Sequence, residues 1–147
     1  MPFICPLCGA AWSDDRDTCE TVFNAFLALE FSDPDYGRVH MLTVACYMIQ
    51  HQQYSDEALP WIERQLRTYL QGEINIAEIR AQAGREVQQE KRTWKMRRQP
   101  GDRRLPAVKW SMNIMDVARG YENAESYNRL ITEWARHTVA EMQPLLP

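Results

Sequence analysis

The sequence contains no run of about 20 apolar residues, so nothing in it reads as a membrane span. Alternating apolar–polar stretches are nearly absent, which leaves little room for a β-sandwich or barrel. The first residues hold no basic segment followed by an apolar run, so no secretory leader is expected. There is no H-E-x-x-H, no phosphate loop and no serine elbow. No internal repeat and no low-complexity segment interrupts the chain. Cysteine is sparse but unevenly placed. Three of the four lie within "MPFICPLCGAAWSDDRDTCE", the first twenty residues.

What is present is ordinary globular composition. The 147 residues are 45% apolar and 25% charged, with a net charge of −3. That length suggests one domain, long enough to build a sizeable core. The mild charge singles out no partner. The expected location is cytoplasmic. In a reducing compartment cysteines serve as metal ligands, catalytic groups or core residues more often than as disulfides.

Hydrophobic periodicity organises the chain into helices. Residues 1–16 are short, mixed and turn-rich. Asp17 followed by Glu20 resembles a capping box and starts a helix near Thr18, with Val22, Phe23, Phe26 and Leu27 on its apolar face. "SDPDYG" breaks the pattern, and a second, largely buried helix is expected from about Arg38 to His51. A third begins at Ser55 or nearer Ala58, is striped by Leu59, Ile62, Leu66 and Leu70, and stops at Gly72. A weaker fourth starts at Asn75, with Gly84 inside it. "WSMNIMDVARGY" reads as a helical turn or one strand. The last helix is capped by Asn123, ended by Pro144, and faced by Tyr127, Leu130, Ile131, Trp134 and Met142. The expected fold is mainly α, a helical bundle of four to five helices with a small N-terminal zinc knuckle. Its parts within a single domain 1–147 are the knuckle 1–17, a helical core 18–90, a basic loop region 91–109, and a C-terminal segment and helix 110–147.

Cys5 and Cys8 stand in C-x2-C spacing with Gly9 directly after. Such a turn aims backbone N–H groups at the sulfurs, stabilising thiolates that share one ion. A redox C-x-x-C would follow a strand and open a helix, and no strand is expected ahead of Cys5. Zinc is the expected occupant; a redox pair or plain thiols are the alternatives. Cys19, in the first turn of a helix, sits where N–H groups and the helix dipole favour a thiolate; otherwise it packs as a small apolar residue. The fourth ligand lies among Cys46, His40 and His51. A short loop at 32–37 makes the first two long helices antiparallel, which brings His51 beside the start of the first. His40 then lies about 16 Å away along the helix, and Cys46 sits in an apolar run. The expected set is Cys5, Cys8, Cys19 and His51; without the antiparallel arrangement, His40 returns. His40 itself reads as a buried histidine bonded to Glu30, Asp33 or Asp35, or as part of a polar pocket with Glu30 and Asp116. His137 reads as exposed.

Further residues carry a resemblance. "CPLCGA" supplies Cys5, Pro6, Cys8, Gly9 and Ala10. Cys19, Leu27 and Glu30 follow, then Pro34, Tyr36, Gly37, Val39, His40, Leu42 and Val44, and last Tyr47, Gln50 and His51. This pattern resembles a bacterial family catalogued as a domain of unknown function, with an N-terminal C-P-x-C-G motif and a Y-G-x-V-H…Y-x-x-Q-H segment. The likeness covers residues 3–52 and extends more weakly to segments around Asp116 and Trp134. The chain departs from the pattern at Ile49 and Gln52. Cys46 falls where the family commonly has a small residue, which implies core packing. The resemblance supports the metal site and supplies no reaction.

Between Arg80 and Lys109 lie ten Lys or Arg and three acidic residues, so this stretch carries about +7 and the remainder about −10. Trp94 and Trp110 bracket its most basic part, and Arg92, Lys95, Arg97, Arg98, Arg103 and Arg104 could contact nucleic acid or an acidic protein surface; they could equally form a solvated face that balances an acidic body. Three functions compete. One is a binding or regulatory module with a structural zinc. Another is an enzyme, metal-dependent through an open position or acid/base through Glu30, His40 and Asp116. The third is an interaction subunit completed by a partner or a second copy, a homo-oligomer.

Overall fold

The computed structural model describes residues 3–72 and 94–147. It is mainly helical. Strands β1 (Phe3–Ile4) and β2 (Ala11–Trp12) pair antiparallel, Phe3 opposite Trp12 and Ile4 opposite Ala11. Helices follow: α1 (Cys19–Ser32), α2 (Pro34–Gly37), α3 (His40–Gln50), α4 (Ala58–Leu70), α5 (Ile114–Gly120) and α6 (Ala124–Glu141). The fourth helix expected from Asn75 lies outside the described residues. None of the described helices is long and apolar enough to cross a membrane.

Local chemistry accounts for the helix starts, with some shifts from expectation. Thr18, not Asp17, caps α1: its side chain accepts from Thr21 N at 3.2 Å. Asp17 is unavailable because it closes a 3-10 turn, Asp15–Asp17, itself capped by Asp14. The "SDPDYG" break contains the single-turn helix α2, with Asp33 as cap and Pro34 at its first position. α3 therefore begins at His40, two residues later than expected. Ser55 accepts from Ala58 N at 3.1 Å and launches α4. "MNIMDVARG" resolves into α5, whose Asn113–Asp116 capping box selects helix over strand. Asn123 caps α6 with a similar reciprocal pair to Ser126.

α6 is the hub. Tyr127, Ile131, Trp134, Ala135 and Thr138 are all fully enclosed, and the helix touches α2, α3, α4 and α5. Gln50, at the end of α3, donates from its amide to Met112 O (2.9 Å) and Thr138 Oγ1 (3.0 Å), tying α3 to α6. Cys46 is wholly buried beside Thr138, and burial pushes its thiol up to about 12. It is a core residue, as the apolar run implies.

α1 and α3 run antiparallel. Their contacts step in opposite directions: Phe31 and Glu30 meet His40, Phe23 stacks on Tyr47, and Cys19 lies near His51.

Candidate metal centre

The β1–β2 hairpin makes the knuckle. Cys5 N donates to Ala10 O at 2.8 Å, and Gly9 N donates to Cys5 O at 3.0 Å. Gly9 adopts φ +83°, a left-handed conformation that glycine reaches without a Cβ penalty. The turn points two further N–H groups at sulfur: Cys8 N to Cys5 Sγ (3.5 Å) and Ala10 N to Cys8 Sγ (3.4 Å). A strand does precede the C-x2-C, contrary to expectation. It leads into a second strand, however, not into a helix, so the redox arrangement is still not formed.

Cys19 opens α1 directly after the Thr18 cap, at the helix end where free N–H groups favour negative charge. His51 closes α3 from the other side. The ligand atoms of Cys5, Cys8, Cys19 and His51 all lie within 4.8 Å of one another, and all four residues are buried. Cys8 Sγ and Cys19 Sγ are 3.3 Å apart, and no disulfide joins them. A tetrahedral ion with metal–sulfur distances of about 2.3 Å needs donor spacings of about 3.7 Å, which this cluster meets with small adjustments.

Two observations test whether the residues suit an ion. His51 Nδ1 bonds to Tyr47 O at 2.8 Å, so Nδ1 carries the proton. Nε2 is buried without a hydrogen-bond partner, its lone pair left for an ion shared with the sulfurs. Tyr47 also holds the imidazole by stacking, at 4.1 Å between ring centres, and is itself stacked on Phe23 at 3.9 Å. This is the carbonyl-oriented histidine typical of metal ligands. The second observation is electrostatic. The Cys8 thiol is pulled down to about 4 by its hydrogen bond from Cys19, against burial, with help from the Ala10 N–H. The Cys19 thiol is pushed up by Cys8, by burial and by Cys5. Packed together, the sulfurs cannot all ionise unaided; a divalent cation removes that conflict.

Glu30, His40 and Asp116 do not converge. Glu30 and His40 meet, with Oε1 and Nδ1 2.8 Å apart. The Asp116 carboxylate instead accepts from Asn113 N at 2.8 Å and caps α5. In its place are two residues that the sequence reading did not single out. Thr43 Oγ1 donates to Glu30 Oε2 at 2.6 Å and Tyr127 OH donates to the same oxygen at 2.5 Å. Thr43, one turn beyond His40 in an apolar helix, was a faint signal; Tyr127 read only as part of an apolar stripe.

The basic residues divide. Arg92 lies outside the described residues. Arg98 pairs with Asp56 and donates to Tyr54 O; Arg103 donates to the same carboxylate at 3.0 Å and to Leu145 O at 2.6 Å. Both therefore hold the loop against the start of α4. Arg97 reaches Gln53 Oε1 at 3.1 Å but is exposed, as are Lys95 and Arg104. His137 is exposed as expected, yet it belongs to a surface cluster with Ser111 (2.7 Å) that the sequence did not suggest; Ser111 also bonds Glu141 through both its N–H and its hydroxyl.

No curated protein and no solved structure matches the chain. A family model does, from the residue before Cys5 to just past the end of α6. That model, described as "Family of unknown function (DUF5946)", matches residues 4–143, and the chain belongs to this family.

Proposed function

We propose that this protein is a helical binding or regulatory module, one domain over 1–147, fastened by one structural zinc ion on Cys5, Cys8, Cys19 and His51. The observation that carries this reading is the pairing of three clustered thiols with a buried, unpartnered His51 Nε2. Soft sulfur ligands with one imidazole in a tetrahedral set favour zinc over harder cations. Four protein ligands would leave no position for water, so the ion would supply cohesion, not Lewis-acid catalysis. It would join the knuckle to the start of α1 and the end of α3. Lys95, Arg97 and Arg104 are exposed cations of the basic stretch and are our choice for contacting phosphates or an acidic protein surface.

Elemental analysis of the purified protein should give one zinc per chain, and X-ray absorption should give three sulfurs and one nitrogen. An oxygen in the coordination sphere would move the ion into an open, catalytic setting. For the contact, binding to a nucleic-acid duplex should weaken steeply with salt. An affinity indifferent to salt would exclude phosphate contacts.

A further inference from the structure

A second piece of chemistry sits at the opposite end of α3. The Glu30 side chain is wholly enclosed at the end of α1. Enclosing a carboxylate costs several kcal/mol unless its oxygens are satisfied, and here three donors satisfy them: Thr43, Tyr127 and His40. Thr43 and Tyr127 are themselves fully buried. His40 alone reaches solvent, with 24% of its side chain exposed. Its Nδ1 faces the carboxylate, an acceptor, so in the neutral ring Nδ1 carries the proton and Nε2 the lone pair. Nε2 has no hydrogen-bond partner among the described residues and is not an enclosed atom, so it opens to the surface. Beside it lies Phe31, its ring 5.1 Å from the imidazole and 78% exposed.

The approach of α2 sets this arrangement. A Cβ at Gly37 would stand 2.7 Å from Glu30 O, so only glycine lets the chain cross that closely before turning into His40. Asp33 caps α2 and Asp35 stands in its first turn, and α1 ends with no basic residue in its last turn to offset its carbonyls. Arg38, the nearby cation in sequence, is turned to Asp35 at 3.4 Å.

We propose that His40 Nε2 is the proton acceptor of a second, surface-open site. Glu30 is its positioning residue and Phe31 its apolar wall. The site suits a small neutral or cationic molecule with an ionisable O–H or N–H. Nε2 takes that proton, and the electron pair of the broken bond stays on the molecule's oxygen or nitrogen. The Glu30 carboxylate compensates the imidazolium through Nδ1–H, and the proton returns to product or water. Nothing in this step draws on the metal centre, so the two readings stand or fall separately.

The probe is diethyl pyrocarbonate on the full, metal-loaded chain. Nε2 attacks one carbonyl carbon and expels ethyl carbonate. This breaks down to carbon dioxide and ethoxide, which leaves as ethanol with the ring proton. Peptide mass spectrometry reads the rate at His40 against free Nα-acetylhistidine. We expect His40 to react faster than the free imidazole, and Glu30→Gln to slow it by about tenfold, the low end of what an outer carboxylate contributes to a metal-ligating histidine. Neutral bromoacetamide should outpace anionic bromoacetate at His40 by more than it does on Nα-acetylhistidine. Nitrogen NMR of the unmodified protein should show His40 protonated at Nδ1. That measurement needs no variant, so it decides the matter even if Glu30→Gln does not fold. An Nε2–H tautomer, or a His40 rate equal to free histidine and indifferent to Glu30→Gln, overturns the proposal and leaves the cluster as a structural brace.

Discussion

Replacing His51 with alanine separates the metal's contribution from ordinary packing. The substitution removes the proposed fourth ligand, the Nδ1 bond to Tyr47 O, and the ring stacked on Tyr47. The hydrogen bond contributes about 1 kcal/mol and the aromatic pair about 1 kcal/mol. Loss of even an outer partner of a metal ligand weakens binding by up to about a hundredfold. Taking that as a floor for the ligand itself, metal-linked stability falls by about 2.7 kcal/mol. The metal-loaded variant should therefore lose about 5 kcal/mol, a Tm drop of about 10–20 °C at about 2–4 °C per kcal/mol for a chain of this size. With excess chelator present for both proteins, only the packing loss remains, and the gap should shrink to about 4–8 °C. The assay is paired thermal melts with and without chelator, together with zinc content. His40→Ala is the control and should keep its zinc. A His51→Ala protein that holds one zinc, with the same Tm gap under both conditions, would falsify the ligand assignment. Zinc loss in His40→Ala with retention in His51→Ala would overturn the antiparallel argument behind it.

Other perturbations probe the remaining contacts. Tyr127→Phe deletes one charge-assisted donor to Glu30 and should cost about 1.5–3 kcal/mol by urea unfolding with an unchanged slope; a loss below about 0.5 kcal/mol, the scale of a surface change, would deny that bond its weight. Gly37→Ala would ordinarily stabilise a helical position, yet the contact with Glu30 O should reverse the sign and destabilise by about 1–3 kcal/mol. The Asp56 carboxyl is raised by burial but held below its ordinary value overall, because Arg98 and Arg103 outweigh that effect. A lowered native value means stability that is present above the unfolded value of about 4 and lost as pH falls through the native one. The stability gap between the protein and Asp56→Asn should thus narrow on acidification, and a gap independent of pH would contradict the ion-pair account.

Much of the candidate metal site was legible because its parts obey short-range rules. C-x2-C-G dictates a turn whose N–H groups meet sulfur, and a cysteine after a capping threonine stands at a helix start. His51 required one further step, the short connection that folds α3 back along α1. The helix stripes were equally legible: Leu59, Ile62 and Leu66 on α4, and Tyr127, Ile131 and Trp134 on α6, are buried as their spacing demands. Asp116 was misplaced because an acidic residue three positions after Asn113 serves a local cap just as well as a distant pocket. Arg98 and Arg103 looked like a binding surface because nothing nearby in the chain announces Asp56, more than forty residues earlier.

The sequence alone determined the helical class, the knuckle, the starts of α1, α3, α4 and α6 to within a residue or two, and the four residues able to meet around an ion. These follow from backbone periodicity and capping chemistry, which act over a few residues. Only the tertiary structure decided that Tyr127 and Thr43 close over Glu30, that His40 is left with one nitrogen buried and one open, and that two arginines are spent on Asp56. Those outcomes depend on how helix faces pack across separations of up to 97 residues, where no spacing rule operates and burial selects which polar groups must find each other.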